Sequence, residues 1–446
     1  MKIWLYALTI LYCTSCISVK KTNSKNPQQF FLDTLTKSFY NNRAFDKSFL
    51  GIAIADIPSE KNLIQYHSQK YFIPASTAKL FTTYLSLAFN QDSLDGFLYY
   101  ENQDTLFLFP CGDPTFLNSD FNTNLMEQKL SQFSKQIVFM YPNQPLPILG
   151  YGWSWEDYDQ EYMVETNSFP VYKNLVHFTG TANNIQTKPM FFSNSNYFKN
   201  DNLNNNMFSV TRLLRSNVFY TIPSKQKFDS IDIPFITGDS FVIQQQILTQ
   251  QFPGLKSTAM PISRYSYQTS LQPFATNPLL PILKQMLLVS DNYIAEQLII
   301  NKSLIFNQQT PNSAKVRDSA LNLLFPNNPN RPKWVDGSGL SRYNLFSPQQ
   351  FISLILKLNK DFGSAKISRI MSKGNEGTLK NLFTKYPERI RAKTGTLSNN
   401  IALCGFIETL SNKTLAFSIM INNHQEKNKN LRQLIETYLN LIIEKY

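Results

Sequence analysis

Three short motifs in this chain carry residue types that together can perform serine acyl transfer. In chain order they are Ser76-Thr77-Ala78-Lys79, Ser290-Asp291-Asn292 and Lys393-Thr394-Gly395, which we call the first, second and third motifs. A serine hydroxyl becomes a nucleophile when a base removes its proton, and here a lysine takes the place of histidine. The S-x-x-K and S-x-N patterns recur elsewhere in the chain, so the order and local context of the three motifs carry the prediction.

Lys79 is the predicted base. An amine accepts a proton only while it is neutral, so the pKa of Lys79 must fall below its reference value of about 10.4. We expect burial and the like charge of Lys393 to lower it. The positive charge of Lys393 also suits a substrate carboxylate. The predicted oxyanion donors are the backbone N–H of Ser76 and a strand N–H near Thr396.

Each motif also has an ordinary structural explanation. Ser76 and the second motif both fit helix N-caps, and Lys79 fits a solvated helix position. The third motif fits the entry of an edge strand with a bulge glycine. The histidines lie in three unrelated contexts: His67, His177 and His424. A Ser-His-Asp triad therefore has little support.

The first motif is predicted to begin a helix. Residues 48–68 have the pattern of a β-hairpin, and a helix with an apolar face follows over residues 74–88. Ser76 therefore lies at a helix N-terminus, with Lys79 one turn later on the same side.

The other two motifs follow a long region in which aromatic, strand-like runs alternate with polar loops. We predict that residues 96–261 are an inserted, mostly β region. The second motif separates two helical runs, so its side chains can point into a cleft. Lys393 opens a strand, a hairpin follows, and an amphipathic helix closes the chain. The simplest assembly is a sheet made from the chain ends and flanked by helices, of class α/β (α+β).

Length and composition fit a globular protein with more than one domain. The 446 residues are 42% hydrophobic and 14% aromatic, which excludes a disordered chain. The net charge is +12. The basic residues are scattered and no nucleic-acid motif occurs, so a solvated basic surface is favoured over binding to nucleic acid, anionic lipid or an anionic polymer.

The first sixteen residues have the pattern of a secretion signal. Lys2 precedes a short apolar run, and small residues precede Cys16. This resembles a bacterial lipoprotein signal, although Cys13 departs from it. The resemblance implies lipid attachment at Cys16 and a membrane anchor, and ordinary secretory cleavage is the alternative. Residues 17–30 are the predicted tether.

Two cysteines remain after such a cleavage, Cys111 and Cys404. Their separation allows a disulfide but does not require one. We expect both to be free and buried, where cysteine behaves as a small hydrophobic residue. They do not make a metal site.

Further runs extend the three motifs into a family resemblance. They are Gly112-Asp113-Pro114-Thr115, Gly152-Trp153-Ser154-Trp155-Glu156-Asp157, Tyr293-Ile294-Ala295-Glu296 directly after the second motif, and the loop at 336–344. The chain resembles the low-molecular-mass class C penicillin-binding proteins, D-alanyl-D-alanine carboxypeptidases and endopeptidases of the bacterial cell wall. This implies a penicillin-binding/β-lactamase-like transpeptidase domain, an antiparallel sheet flanked by helices, made of residues 31–95 and 262–446. The insert at 96–261 would lie between its two parts.

The resemblance implies a role for each site residue. Ser76 attacks the carbonyl between the two terminal D-alanines of a peptidoglycan stem peptide, and Lys79 takes its proton. Ser290 and Lys393 pass a proton to the leaving D-alanine, and Asn292 orients the acyl-enzyme amide. Lys393 and the residues after it hold the terminal carboxylate: Thr394, Gly395 and Thr396. No metal or organic cofactor is implied, and penicillins are expected to acylate the serine.

Two other functions stay open. A serine β-lactamase or esterase could use the same motifs, although Ser76 and Ser290 are much further apart than in typical class A β-lactamases. An envelope protein that binds peptidoglycan without cutting it could keep the fold. The sequence also leaves open the balance between trimming terminal D-alanine and cleaving cross-links.

Overall fold

The computed structural model describes residues 27–122, 125–181, 184–194, 196–200, 208–222, 228–238, 240–266, 270–326 and 328–446. Cys16, the predicted signal segment and residues 17–26 of the predicted tether lie outside them. The described helices are α1 (Pro27–Tyr40), α2 (Lys79–Phe89), α3 (Leu125–Ser131), α4 (Val242–Gln251), α5 (Leu279–Leu288), α6 (Asn292–Phe306), α7 (Ser313–Leu324), α8 (Pro348–Phe362), α9 (Ser364–Ile370) and α10 (Asn428–Lys445). None of them is both long and apolar enough to cross a bilayer.

The described strands group into four sheets. They are β1 (Phe49–Asp56), β2 (Asn62–Tyr66), β3 (Ser93–Glu101), β4 (Thr105–Pro110), β5 (Gln136–Tyr141), β6 (Leu175–Thr181), β7 (Asn184–Lys188), β8 (Phe198–Asn200), β9 (Ser209–Arg212), β10 (Phe219–Ile222), β11 (Phe228–Pro234), β12 (Lys256–Pro261), β13 (Gln272–Pro278), β14 (Ile390–Leu397), β15 (Asn400–Glu408) and β16 (Thr414–Asn422).

A five-stranded antiparallel sheet forms the centre of the first unit. Its strand order is β14-β15-β16-β1-β2, so β1 from the start of the chain pairs with β16 from its end, as predicted. Side chains alternate between the two faces of each strand. Ile52 and Ile54 face one apolar layer, and Ala53 and Ala55 face the other.

Helices cover both faces of this central sheet. α2 and the helices α5 to α9 bury the face that carries the three motifs. α1 and α10 bury the opposite face, where Phe39 stacks on Tyr438 with ring centroids 4.5 Å apart. Thr36 Oγ1 lies 2.7 Å from Tyr438 Oη in the same contact.

The start of α1 lies within the predicted tether. Gln28 Nε2 donates to the carbonyl of Tyr446, and Gln29 Nε2 donates to the carbonyl of Leu63. These two side chains fix the helix to the body of the protein. Residues 27–30 are therefore helical, and the tether predicted for them is wrong.

A sheet-rich unit is inserted between α2 and α5. It holds a mixed sheet of order β12-β5-β4-β3-β13 and two three-stranded sheets, β11-β6-β7 and β8-β10-β9. β13 pairs with β3, so the insert runs from Ser93 to Pro278. The predicted bounds of 96–261 were too narrow because the strand that completes the sheet follows their end.

The insert is packed around phenylalanine side chains. Its buried phenylalanines are Phe97, Phe116, Phe139, Phe169, Phe178, Phe192, Phe208, Phe219, Phe235 and Phe241. Several of these rings meet edge to face, which suits their quadrupoles. The chain has 35 phenylalanines, and this second core accounts for much of that number.

Cys111 and Cys404 are both free and buried, which confirms the prediction made for them. Cys111 follows β4 in the insert, and Cys404 lies in β15 of the central sheet. Burial raises the pKa of both thiols, so neither is a reactive thiolate at neutral pH.

Candidate active site

Ser76 lies on the wall of a polar cleft between the central unit and the insert. It belongs to a 3₁₀ turn, Ala75–Ala78, which continues directly into α2 at Lys79. The cleft has a volume of about 850 Å³, and Ser290, Asn292 and Thr396 also line it. The structure therefore brings residues of the first two motifs to one site with Thr396, which directly follows the third motif.

Lys79 is fully buried beneath Ser76, not solvated. Its Nζ donates to Ser76 Oγ at 3.0 Å, to Asn292 Oδ1 at 2.6 Å and to the Ser338 carbonyl at 2.8 Å. An ammonium has three N–H donors, and these acceptors use all of them. The amine is thereby held against the serine hydroxyl that it would deprotonate.

Burial lowers the pKa of Lys79 to about 8. The negative charges of Asp291, Glu296 and Asp336 oppose this fall. A base whose pKa is near the working pH is neutral for part of the time and still binds a proton well. The environment of Lys79 therefore suits general-base catalysis.

We predicted that the charge of Lys393 lowers the pKa of Lys79. Instead, the charge of Lys79 lowers the pKa of Lys393. The pKa of Lys393 lies well below its ordinary value because of burial first, then the positive charges of Lys79 and Arg432. A lysine that loses its proton at lower pH carries no charge when its neighbour titrates. Lys79 thus depresses the pKa of Lys393, and the pKa of Lys79 falls through burial.

Lys393 and Ser290 form the second lysine–serine pair of the site. Lys393 is buried, and its Nζ donates to Ser290 Oγ at 2.9 Å and to the Thr394 carbonyl at 2.7 Å. Ser290 has φ 65°, in the turn between α5 and α6. That turn directs its hydroxyl toward the strand.

The second motif is a helix N-cap and also part of the site. Asp291 Oδ1 accepts from Ile294 N at 2.9 Å, which begins α6. Asn292 is the first residue of that helix, so the cap fixes the amide that meets Lys79. The N-cap explanation is therefore confirmed for Asp291, and Asn292 lies at the cleft in contact with Lys79.

The insert holds the second motif from outside. Asn292 Nδ2 donates to the Tyr162 carbonyl at 3.0 Å. Lys173 Nζ lies 2.9 Å from Asp291 Oδ2 and 2.9 Å from Asp120 Oδ2. Sequence reasoning missed these partners because they lie more than a hundred positions from the motif.

The third motif lies in β14, the edge strand beside the Ser76 turn. The pairing of β14 with β15 runs through Gly395 without a bulge. A Cβ at Gly395 would lie 2.4 Å from the Pro74 carbonyl, so only glycine allows this approach. Thr396 lines the cleft, whereas Thr394 is buried.

Arg432 joins the predicted carboxylate site. Its Nη2 donates to Thr396 Oγ1 at 3.0 Å from the first turns of α10. Burial lowers its pKa from the ordinary arginine value, but a guanidinium stays charged. Nothing local in the sequence distinguishes this arginine from the other basic residues of a closing helix.

Two of the other runs of the family resemblance meet beside the cleft. Trp153 Nε1 donates to Asp336 Oδ2 at 2.8 Å, and Ser341 N donates to the same oxygen at 2.6 Å. This joins the insert to the loop at 336–344, which supplies the Ser338 carbonyl. Within the described residues, no group of three or more His, Cys, Asp or Glu side chains is placed to hold a metal ion.

Comparison with protein families and curated proteins gives consistent matches. Residues 33–216 and 254–440, more than half of the chain, match the model of the D-Ala-D-Ala carboxypeptidase 3 (S13) family. The chain is 30% identical over 162 residues to D-alanyl-D-alanine carboxypeptidase DacB of Haemophilus influenzae, covering 33% of each protein. It is 31% identical over 118 residues to penicillin-sensitive carboxypeptidase A of Dictyostelium discoideum, covering 24% of this chain and 23% of that protein. These matches span a third or less of the relatives' lengths.

Solved structures show the same fold. Penicillin binding protein 4 from Haemophilus influenzae has a TM-score of 0.69 at 19% identity, covering 93% of this chain and 99% of that one. A penicillin G-acylated predatory endopeptidase from Bdellovibrio bacteriovorus has a TM-score of 0.51 at 15% identity, covering 89% and 92%. These likenesses confirm the predicted fold class, a sheet flanked by helices with a sheet-rich insert.

Proposed function

The chain belongs to the D-Ala-D-Ala carboxypeptidase (S13) family, and from that premise we propose that it is a serine D,D-carboxypeptidase. It would remove the terminal D-alanine of peptidoglycan stem peptides through an acyl-enzyme. One observation carries the proposal: the buried amine of Lys79 lies 3.0 Å from Ser76 Oγ and has a pKa of about 8.

Acylation begins at this pair. Neutral Lys79 accepts the hydroxyl proton of Ser76, and Ser76 Oγ attacks the carbonyl of the penultimate D-alanine. The developing oxyanion accepts hydrogen bonds from the backbone N–H groups of Ser76 and Thr396, two residues of the same cleft. Asn292, already bound to Lys79 through its oxygen, orients the amide of the acyl group.

The leaving amine needs a proton when the C–N bond breaks. Ser290 can donate its hydroxyl proton and recover one from Lys393, which lies 2.9 Å away. Terminal D-alanine then leaves as a neutral amine. Acylation leaves Lys79 protonated and Lys393 without its proton, so Lys79 must first give up its proton, through solvent in the cleft, to restore that of Lys393. Neutral Lys79 then takes a proton from the water that attacks the ester and returns it to Ser76 Oγ.

Three side chains would hold the terminal carboxylate of the substrate. Thr396 lines the cleft, Arg432 donates to its hydroxyl, and Lys393 lies in the same strand. A carboxylate beside Lys393 would raise the depressed pKa of that lysine, because an opposite charge favours the protonated form. Substrate binding would thus favour protonated Lys393, which can then supply the proton that the leaving group needs.

We include D,D-endopeptidase activity and acylation by β-lactams in this proposal. Cross-link cleavage breaks the same kind of amide, and the cleft of about 850 Å³ has room for more than a dipeptide. A fold match acylated by penicillin G supports β-lactam binding. The periplasmic location and the lipid anchor at Cys16 stay predictions from the sequence.

A fluorescent penicillin tests the catalytic assignment. We expect the wild-type protein to label once per molecule and Ser76→Ala not to label at all. Ser154→Ala is the matched control, because Ser154 lines the same cleft outside the catalytic groups. Labelling that survives Ser76→Ala would refute the nucleophile, and steady nitrocefin turnover instead of a single burst would favour a β-lactamase. Release of D-alanine from purified muropeptides tests the substrate.

A further inference from the structure

Glu296 is a buried carboxylate that lies under the active-site loop without touching Ser76. It belongs to α6, one turn after Asn292. Its Oε1 accepts from Ser338 N at 2.7 Å, and its Oε2 accepts from Gly337 N at 3.1 Å. Both carboxylate oxygens are thus used to hold two successive backbone N–H groups of the loop.

The loop residue held in this way supplies an acceptor to the base. Lys79 Nζ donates to the Ser338 carbonyl at 2.8 Å and to Asn292 Oδ1 at 2.6 Å. A neutral amine has two N–H groups and one lone pair. If the two N–H groups stay on these two acceptors, the lone pair points at the third position, which is Ser76 Oγ.

We propose that Glu296 is a positioning residue for the base: by holding the Gly337 and Ser338 N–H groups it fixes the Ser338 carbonyl, and so directs the lone pair of Lys79 at Ser76. This rests on the proposed function, since it assigns a role in the same acyl transfer. Glu296 does not contact substrate, and its effect passes through the loop.

The close packing of the loop on α6 supports a fixed position for the Ser338 carbonyl. A Cβ at Gly337 would lie 2.7 Å from the Ala295 carbonyl and 2.7 Å from Ile299 Cδ1, so the loop backbone lies directly on the helix. The two hydrogen bonds from Glu296 are made at this same contact. A small shift of the loop would therefore move the carbonyl that Lys79 binds.

Within the part of the chain that the structure describes, three charged groups interact with Glu296. They are Lys79 on α2, Asp336 in the loop and Arg317 on α7. Burial, followed by the charge of Asp336, raises the pKa of Glu296 to about 7. Above that pH the carboxylate is ionised and raises the pKa of Lys79.

The expected pH effect has a definite sign. Acylation requires neutral Lys79, so its rate rises with pH through the pKa of that lysine. Glu296→Gln removes a negative charge that raises this pKa, so the rising limb should move to lower pH. The glutamine side chain also replaces one carboxylate oxygen with an NH₂ group, which cannot accept a hydrogen bond from the loop N–H that faces it. The plateau, which is the acylation rate at high pH, should therefore fall at least tenfold.

Glu296→Asp separates position from charge. It keeps the carboxylate and withdraws it by one methylene, so the plateau should fall while the midpoint of the rising limb stays near the wild-type value. Glu408→Gln is the matched control, because it removes the same charge at an exposed strand end. It should change neither the plateau nor the midpoint.

The measurement is the acylation rate with a fluorescent penicillin from pH 6 to pH 10, on protein shown by circular dichroism to be folded. Wild-type plateau and midpoint in Glu296→Gln would overturn the inference, and so would a loss of melting temperature with an unchanged profile. If Glu296→Gln does not fold, Glu296→Asp decides through its plateau. Failure of the wild type to label would instead refute the proposed function, and this inference with it.

Discussion

At the level of single side chains, the site pairs two buried lysines with two serines. Lys79 contacts Ser76, and Lys393 contacts Ser290. Burial lowers the pKa of both lysines, and the positive charge of Lys79 lowers that of Lys393 further. The two amines thus differ in proton affinity, which suits one to accept a proton and the other to deliver one.

Arg432 gives a prediction at this scale. Arg432→Gln should lower kcat/KM about 10- to 100-fold for peptides with a free terminal carboxylate, because a charge-assisted hydrogen bond contributes about 1.5–3 kcal/mol. The loss should appear mainly in KM. Steady-state kinetics on free and amidated peptides checks it.

The amidated peptide and a distant arginine provide the controls. Arg369→Gln removes an exposed arginine of α9 and should leave both substrates unchanged. An equal loss on free and amidated peptides with Arg432→Gln would show that Arg432 does not recognise the carboxylate.

The contact between Ser76 and Lys79 could be predicted because it is local. An S-x-x-K spacing on a helix brings Ser76 and Lys79 together whatever the rest of the fold does. Arg432, Tyr162 and the Ser338 carbonyl could not be found in this way, because each comes from a distant segment. Their contribution depends on tertiary packing, which no short spacing records.

At the level of elements, the insert is part of the scaffold of the active site. It reaches the second motif through Lys173 and the Tyr162 carbonyl, and the loop at 336–344 through Trp153. The sequence predicted an inserted β region but gave it bounds that were too narrow. β13 pairs with β3 from far along the chain, and long-range pairing of this kind leaves no local signal.

The contact between Lys173 and Asp291 gives a prediction at this scale. Lys173→Met keeps the aliphatic stem and leaves the Asp291 carboxylate, which is 7% exposed, without its cation. The turn that carries Ser290 and Asn292 should then be less well fixed, and acylation should slow about 3- to 10-fold. Stopped-flow acylation with a fluorescent penicillin measures it.

Lys129→Met is the matched control for that variant. Lys129 belongs to the same insert, pairs with Glu101 at 3.0 Å and has a similar exposure of 26% against 24%. Its removal should leave acylation unchanged, because surface pairs contribute little and this one lies away from the cleft. Equal slowing in both variants would contradict a specific role for Lys173.

At the level of the whole molecule, the central sheet lies between the candidate active site and a second apolar layer that stabilises the fold. The helices that carry the three motifs cover one face, and α1 and α10 cover the other. The sequence predicted a sheet flanked by helices, and the nearly continuous burial of β1, β15 and β16 agrees with strands covered on both faces. The start of α1 was not predicted, because its polar glutamines resemble a tether until their backbone partners are known.

Phe39→Ala tests this separation. Phe39 is buried against Phe45 and Tyr438, and loss of a buried phenylalanine costs about 3–5 kcal/mol of unfolding free energy. Acylation of the folded protein should be unchanged. Phe30→Ala, at an exposed site on the same helix, should change neither quantity. Urea unfolding and acylation kinetics measure the two effects. A fall in both the free energy of unfolding and the acylation rate of folded Phe39→Ala would contradict the separation.

The pairing of β1 with β16 also determines when the chain can fold. Phe49 of β1 pairs with Asn422 of β16, more than 370 residues further along. A ribosome that adds about 5–20 residues per second needs roughly 20 to 70 s to reach that partner. An unpaired strand edge exposed for so long invites association with other nascent chains. The topology therefore favours a chain that is completed, and kept unfolded until then, before β1 pairs with β16.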